Sequence, residues 1–167
     1  MSSFGSQRLL PEHDLDAFSS SSEELDGWLR RSARHAEAAN TGRTFVWTRP
    51  DSLQVVAYFT LAAHLLRRAE IPKRVGRGSP DAIPAILLAR LALDRSLQGQ
   101  GLGGQLLRDA LERAVEASER AAARLVVVDA IDDQAFAFYQ HFGFDAIPGS
   151  RRLVRKVSEV AAGLRGE

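Results

Sequence analysis

Leu93-Asp94-Arg95-Ser96-Leu97-Gln98-Gly99-Gln100-Gly101-Leu102-Gly103-Gly104 is the stretch that decides the fold. The apolar run Ile86 to Leu93 leads into it, and an apolar-periodic stretch follows it. A strand, a glycine-rich turn and a helix are therefore expected in that order. Backbone N–H groups at such a junction point outward, and the helix dipole adds partial positive charge. The loop is thus suited to a pyrophosphate. A P-loop needs Lys after its glycines, and none follows here. A dinucleotide fold needs G-x-G-x-x-G, whereas the spacing here is Gly99-x-Gly101-x-Gly103. A glycine-rich loop can also be merely a tight turn, so its neighbours must be weighed with it.

The 167 residues suit one domain, spanning 1–167, with a single substantial core. Cysteine is absent, which excludes disulfides, thiolate metal sites and a Cys nucleophile. No pair of the four His has metal-ligand spacing, and His13 and His141 are expected at the surface or in packing. No apolar run is long enough to cross a membrane, and Met1 to Ser6 lacks the shape of a signal peptide. A soluble, cytoplasmic protein is expected. The net charge of +1 is unevenly spread. Arg67, Arg68, Lys73, Arg74 and Arg77 stand against one acid, Glu70, and Arg151, Arg152, Arg155 and Lys156 form a second basic group. Such groups are commonly solvated surface; their other reading is a footprint for a phosphate-rich ligand.

Along the chain a short strand is expected at Arg8 to Leu10. A helix follows, burying Leu25, Trp28, Leu29, Ala33 and Ala36, with capping boxes at Ser20-x-x-Glu23 and Ser21-x-x-Glu24. It stops near Asn40-Thr41-Gly42. Thr44 to Thr48 and Gln54 to Leu61 read as strands joined by a turn at Arg49 to Ser52. His64 to Pro84, with Pro72, Pro80 and Pro84, reads as a broken helix or loop. After the central strand, a helix from Gly103 to Glu119 buries Leu106, Leu107, Ala110, Leu111, Ala114 and Val115. Leu125 to Ala130 is a buried strand, Asp133 to His141 a short helix stopped by Gly143, and Arg151 to Val157 a last strand. The tail from Ser158 is read as a short helix or disordered.

Gln98-x-x-Gly101-x-Gly103 resembles the Q/R-x-x-G-x-G/A signature of the GNAT acetyltransferases, whose loop grips the pyrophosphate of acetyl-coenzyme A. Asp132-x-x-Ala135-x-x-Phe138-Tyr139-x-x-Phe142-Gly143-Phe144 resembles the family's N-x-x-A-x-x-F-Y-x-x-x-G-F segment, with Asp132 in place of the usual Asn. The resemblance implies an α/β fold, a mixed central sheet flanked by helices. Glu12-His13-Asp14-Leu15, Leu25-Asp26-x-Trp28-Leu29, Tyr58-Phe59-Thr60-Leu61-Ala62, Ile71-Pro72-Lys73-Arg74, Pro80-x-x-x-Pro84 and Leu88-Ala89-Arg90-Leu91-Ala92-Leu93-Asp94 look like the GNAT toxins of type II toxin–antitoxin pairs. Ala57 stands where those toxins usually have Gly, and Phe59 where they have a second Tyr. That resemblance implies acetylation of the free amine of aminoacyl-tRNA, arrest of translation, a homodimer, and inhibition by a ribbon-helix-helix antitoxin.

By the same resemblance Leu91, Ala92 and Leu93 hold the pantetheine and thioester. Gln98, Gly99, Gln100, Gly101, Leu102, Gly103 and Gly104 cover the pyrophosphate, and Asp132 takes the position of a cofactor contact. A backbone N–H near Leu93 would stabilise the developing oxyanion. Tyr139 is the candidate general acid, since a phenol near ~10 matches an alkyl thiol in acidity; the bland alternative is a packed ring. Phe136, Phe138, Phe142 and Phe144 around it are expected in the core. Many family members carry a basic Glu on the central strand, but Ile86, Leu87, Leu88 and Ala89 are apolar. An aminoacyl ester needs none, because its α-amine titrates below ~7.7–8.0, whereas lysine near ~10.4 would need one. Arg90, a lone charge in that strand, requires either an ion pair or a wet cleft where it grips the tRNA 3′ end. Lys73, Arg74 and Arg77 are further tRNA candidates. Asp132 and Asp133 read first as a helix cap. A GNAT enzyme acting on a small amine or a protein N-terminus, and a non-catalytic CoA-binding module, are the alternatives.

Overall fold

The computed structural model describes residues 4–166; Met1 to Ser3, part of the stretch read above for a signal peptide, lie outside them. The elements are β1 (Gln7–Arg8), α1 (Glu23–Arg31), α2 (Ala33–Ala39), β2 (Arg43–Thr48), β3 (Val55–Arg67), α3 (Lys73–Gly76) and β4 (Ala82–Leu93). They continue with α4 (Leu102–Arg120), β5 (Leu125–Asp129), α5 (Asp133–His141), β6 (Asp145–Ala146), β7 (Arg152–Lys156) and α6 (Val157–Leu164). The seven strands follow the order β1-β2-β3-β4-β5-β7-β6. β4 and β5 are parallel, while β1–β2, β2–β3, β5–β7 and β6–β7 are antiparallel, which makes the sheet mixed as expected. Among the described residues no helix is long and apolar enough to cross a membrane.

The chain forms two compact units. The first comprises the residues up to Ala62 and Ala89–Ala110. Its core gathers Leu9, Phe18, Leu25, Leu29, Ala33, Val46, Val55, Tyr58 and Ala92, with Trp28 packed against them. The helix expected to run unbroken to Asn40 is two helices, because Ser32 leaves helical geometry at φ −126°. Neither expected capping box forms. Ser22 is the N-cap and accepts from the Leu25 N–H at 3.2 Å. Ser21 has φ 85°, outside the extended region a cap needs, and the Ser20 hydroxyl donates to buried Asp26 at 2.6 Å. Asn40, at φ 61°, closes α2 in the left-handed conformation that Asn tolerates.

The second unit comprises Ala63–Leu88 and the residues from Leu111 onward. Leu66, Ile71, Val75, Ile83, Ala85, Leu125, Val127 and Val154 form its core. The segment from His64 is strand as far as Arg67, not loop; the proline-broken part is confined to a 3-10 turn at Arg68–Glu70 and the single turn of α3 after Pro72. β4 begins four residues before the expected start, at Ala82, and holds Pro84. Pairing with β5 starts only at Ala85, so the missing proline N–H costs that ladder nothing, and the Pro84 carbonyl accepts from the Arg124 N–H. The tail from Val157 is helical. β6, two residues long, carries no sequence signal of its own.

Candidate functional site

In the first unit β4 ends at Leu93, and Asp94 turns the chain. Its N–H donates to the Val56 carbonyl at 2.8 Å. Its carboxylate accepts from the Ser19 N–H at 2.9 Å, the Ser96 N–H at 3.0 Å and the Ser96 hydroxyl at 2.7 Å. Burial alone would raise the Asp94 pKa. The hydrogen bonds from Ser19 and Ser96, with the charge of Arg49, outweigh it and hold the group below its ordinary value. The turn is thus fixed by a carboxylate that stays ionised.

The side-chain amide of Gln98 donates to the Leu93 and Ser20 carbonyls, both at 2.9 Å. Its amide N–H is therefore engaged in tying the loop to the strand end. Gln100 donates likewise to the Ser96 carbonyl at 3.1 Å. Gly99 and Gly101 sit at φ 77° and 76°, and a Cβ on either would meet no atom within 4 Å. Glycine is needed there for conformation, and the space beside the loop is open. Leu102 is buried and begins α4, so its side chain is not available to a ligand. The N–H groups of a helix's first turn lack intrahelical partners, and α4 has no acid in that turn to offset the dipole. An open, amide-lined, electropositive loop fits a pyrophosphate.

Arg90 has no acidic partner among the described residues; its guanidinium lies 4.1 Å from the centroid of the Trp28 ring. Trp28 stacks in turn on Tyr58 at 6.2 Å, and the Tyr58 hydroxyl donates to the Leu25 carbonyl at 2.6 Å. An aromatic face thus stands where a carboxylate partner was one of the two expectations, and it offsets desolvation of a cation. Leu91 and Leu93 are half-buried beside it and Ala92 is buried.

In the second unit Tyr139 lies on α5. The carboxylate of Asp132 caps that helix, accepting from the Ala135 N–H at 2.8 Å, and Gly143 ends the segment at φ 91°. Capping is what Asp132 does within the chain. The Tyr139 ring is 7% exposed and meets Phe138 and Phe144 edge-on at 5.4 and 5.8 Å. Phe144 is buried, but Phe136, Phe138 and Phe142 are half-buried, a correction to their expected place in the core. Burial pushes the Tyr139 phenol well above its ordinary value, so it holds its proton throughout the neutral range. Of the two histidines expected at the surface or in packing, His13 is buried, its Nδ1 accepting from the Leu10 N–H at 2.9 Å, and His141 packs edge-on against Phe142.

The basic residues divide into engaged and unengaged. Arg74 is ion-paired to Asp145 and, at 3.4 Å, to Glu159. Arg68 pairs with Asp81 at 2.6 Å, and Arg151 with Asp133 at 2.8 Å. Lys73 and Arg77 have no acidic partner among the described residues.

One cluster escaped the sequence. Arg152 donates to both oxygens of Asp129, at 2.7 and 2.9 Å, and its Nη1 lies 3.0 Å from Nε2 of His64. Arginine can only donate, so Nε2 accepts and the ring proton sits on Nδ1. Burial and then the Arg152 charge push the His64 pKa down. The hydrogen bond from Arg152 holds Asp129 below its ordinary value. Sequence separations of 23 and 88 residues hid these contacts. Because its folded pKa is depressed, Asp129 contributes stability above the unfolded value near ~3.9, and that contribution is lost as pH falls through the folded one. Asp129→Asn is expected to flatten the acid limb of the urea midpoint against pH below about 4; an unchanged limb would assign the acid sensitivity to other carboxylates.

The family model for the acetyltransferase (GNAT) domain matches residues 55–146. A tRNA-acetylating toxin of Mycobacterium tuberculosis is 42% identical over 142 residues, covering 85% of this chain and 84% of the relative. Among solved structures, AtaT complexed with acetyl-methionyl-tRNAfMet matches with a TM-score of 0.86 and 27% identity, over 95% of this chain and 98% of that one. A tyrosine-to-phenylalanine variant of the toxin AtaT, bound to the C-terminus of the antitoxin AtaR and acetyl-CoA, matches with a TM-score of 0.84 and 26% identity. That match covers 99% of this chain and all of the other. With more than half of its length matched by the family model and a relative of this identity, the chain belongs to the GNAT acetyltransferases.

Proposed function

We propose that this protein is a toxin that transfers the acetyl group of acetyl-CoA to the free α-amine of aminoacyl-tRNA and so blocks translation. The observation that carries the reading is the 42% identity, over 85% of the chain, to a tRNA-acetylating toxin. The apolar run Ile86 to Ala89 agrees with it, since an aminoacyl ester brings an amine that is largely neutral at pH 7 without a base. We read the 167 residues as one domain, because β3, β4 and α4 each run unbroken from one unit into the other. A cytoplasmic location, a homodimer and inhibition by a ribbon-helix-helix antitoxin complete the proposal. The match to AtaT bound to the C-terminus of its antitoxin supports an antitoxin partner.

Acetyl-CoA supplies an acetyl group activated as a thioester. The amides of Gly99 to Gly104 bind its pyrophosphate, and the strand end Leu91 to Leu93 aligns the pantetheine. A backbone N–H near Leu93 donates to the thioester oxygen as negative charge gathers there. As the amine nitrogen bonds to the carbonyl carbon and the C–S bond breaks, Tyr139 gives its proton to the departing sulfur, and the proton shed by the acylated nitrogen restores the phenol. Incubating the protein with labelled acetyl-CoA and a panel of charged tRNAs, beside free amino acids and peptides, tests the proposal. Label on one or more aminoacyl-tRNAs is expected; label on free amines alone would overturn it.

Of the four basic residues singled out for tRNA, Arg90, Lys73 and Arg77 have no acidic partner among the described residues, whereas Arg74 is engaged by two acids. Replacing Lys73 and Arg77 together by Ala is expected to weaken charged-tRNA binding. The slope of log K against log salt should flatten by ~0.7–0.9 for each phosphate that the variant leaves unneutralised. Arg74→Ala should leave the slope unchanged. An unaltered slope in the double variant would make these two residues solvated surface.

A further inference from the structure

We infer that the cavity between the end of β3 and the start of β4 is a pocket for a single unstacked nucleotide. The cavity holds about 620 Å³ and is lined by Arg67, Arg68, Ala69, Ile71, Lys73, Gly76, Arg77 and Asp81. It lies wholly within the second unit. Tracking a phosphate backbone needs a charged surface but no concavity; a cavity of a few hundred Å³ with an apolar wall is the size of a small-ligand site.

The lining sorts into two chemistries. Arg68 is held on two sides, by Asp81 at 2.6 Å and by the Ser79 carbonyl at 2.7 Å. Its side chain is still half exposed. A guanidinium fixed in plane, with its charge already met by a carboxylate, presents a flat π-surface on which a base can stack. Lys73 opens α3 and Arg77 caps its end four residues on, its N–H donating to the Lys73 carbonyl at 2.9 Å, with no acid between them. Like charges so placed repel, and an anion placed between them relieves the repulsion. Arg67 adds a third charge, since Glu70 only reaches it at 4.0 Å with both side chains largely exposed. Ala69 and Ile71 supply the apolar wall beside the stacking plane. Gly76 keeps the floor low, because a Cβ there would press on Arg68 Cγ and Ile71 at 3.2 Å. A base laid on Arg68 and its phosphate between Lys73 and Arg77 use both halves of this lining.

The ligand class is therefore a nucleoside phosphate, supplied either by the single-stranded acceptor end of tRNA or by a free nucleotide. The first source deepens the proposed function and rests on it; the binding itself does not depend on turnover. Cytidine monophosphate and inorganic phosphate are titrated by equilibrium dialysis, with saturating coenzyme A present to occupy the pyrophosphate loop. Cytidine monophosphate is expected to bind at least about fivefold more tightly than phosphate, as a stacked base requires. Lys73→Ala/Arg77→Ala should abolish binding of both. Arg68→Lys, which keeps the charge and loses the plane, should cut nucleotide affinity by at least about fivefold while leaving phosphate binding unchanged. Competition by cytidine monophosphate against acetylation of charged tRNA assigns the pocket to the tRNA. Binding without competition assigns it to a free nucleotide. Equal affinity for nucleotide and phosphate, or an Arg68→Lys variant with parental nucleotide affinity, overturns the inference whether or not the protein acetylates tRNA.

Discussion

Tyr139→Phe is expected to fold as the parent does, bind acetyl-CoA with parental affinity, and transfer acetyl ~10²–10⁴-fold more slowly, the usual worth of a general acid. Only a hydroxyl is removed. The edge-on contacts to Phe138 and Phe144 belong to the ring and persist in phenylalanine, so stability and cofactor binding should not move. The phenol is protonated throughout the neutral range because burial makes its anion unfavourable. A proton is thus in place at every turnover, and the parent rate should show no falling limb from this group between about pH 6 and 9, below the ordinary phenol value near ~10. Single-turnover measurement with saturating acetyl-CoA separates the chemical step from binding. A variant within about two- or threefold of the parent would leave Tyr139 a packing residue, and the thiolate would then depart unassisted.

Gly101→Glu should abolish acetyl-CoA binding. The position has φ 76° and open space where a Cβ would point, so a side chain there meets no protein atom but stands in the space beside the loop. A carboxylate in that place opposes the pyrophosphate charge and partly cancels the dipole of α4. Backbone strain is a separate effect, because any L-residue is disfavoured at this φ. Gly101→Asn provides the control, since Asn tolerates the left-handed region and carries no charge. Calorimetry should find acetyl-CoA bound by the Asn variant and not by the Glu variant. If both bind as the parent does, the cofactor does not use this loop.

The parts legible in the sequence were those fixed by neighbours along the chain. The glycine loop was readable because an apolar run precedes it and a 3.6-residue stripe follows; Asp133 to His141 was readable because Asp132 and Gly143 bracket it. What the sequence concealed depends on partners far away. The strand character of His64 to Arg67 comes from continuation of β3, against the local signal of three downstream prolines. Ser20 resembled a cap, but its hydroxyl is taken by Asp26, six residues on. In the candidate site, the loop glycines and Tyr139 stand out by their resemblance to the motifs of the GNAT family. That Arg74 is engaged while Lys73 and Arg77 are not depended on where Asp145 and Glu159 come to lie, and no local pattern carries that.

Arg90 is stabilised by the face of Trp28 rather than by a carboxylate, and the difference reaches beyond the pair. An ion pair would have been a dipole, its field cancelling within a few ångströms. A ring has no net charge, so it makes the guanidinium tolerable at 4.1 Å without neutralising it. The full positive charge therefore stays on the central strand, one residue before the stretch Leu91 to Leu93. Along the chain Leu91 to Leu93 thus lie between that cation and the ionised carboxylate of Asp94, so the strand end carries charge of both signs.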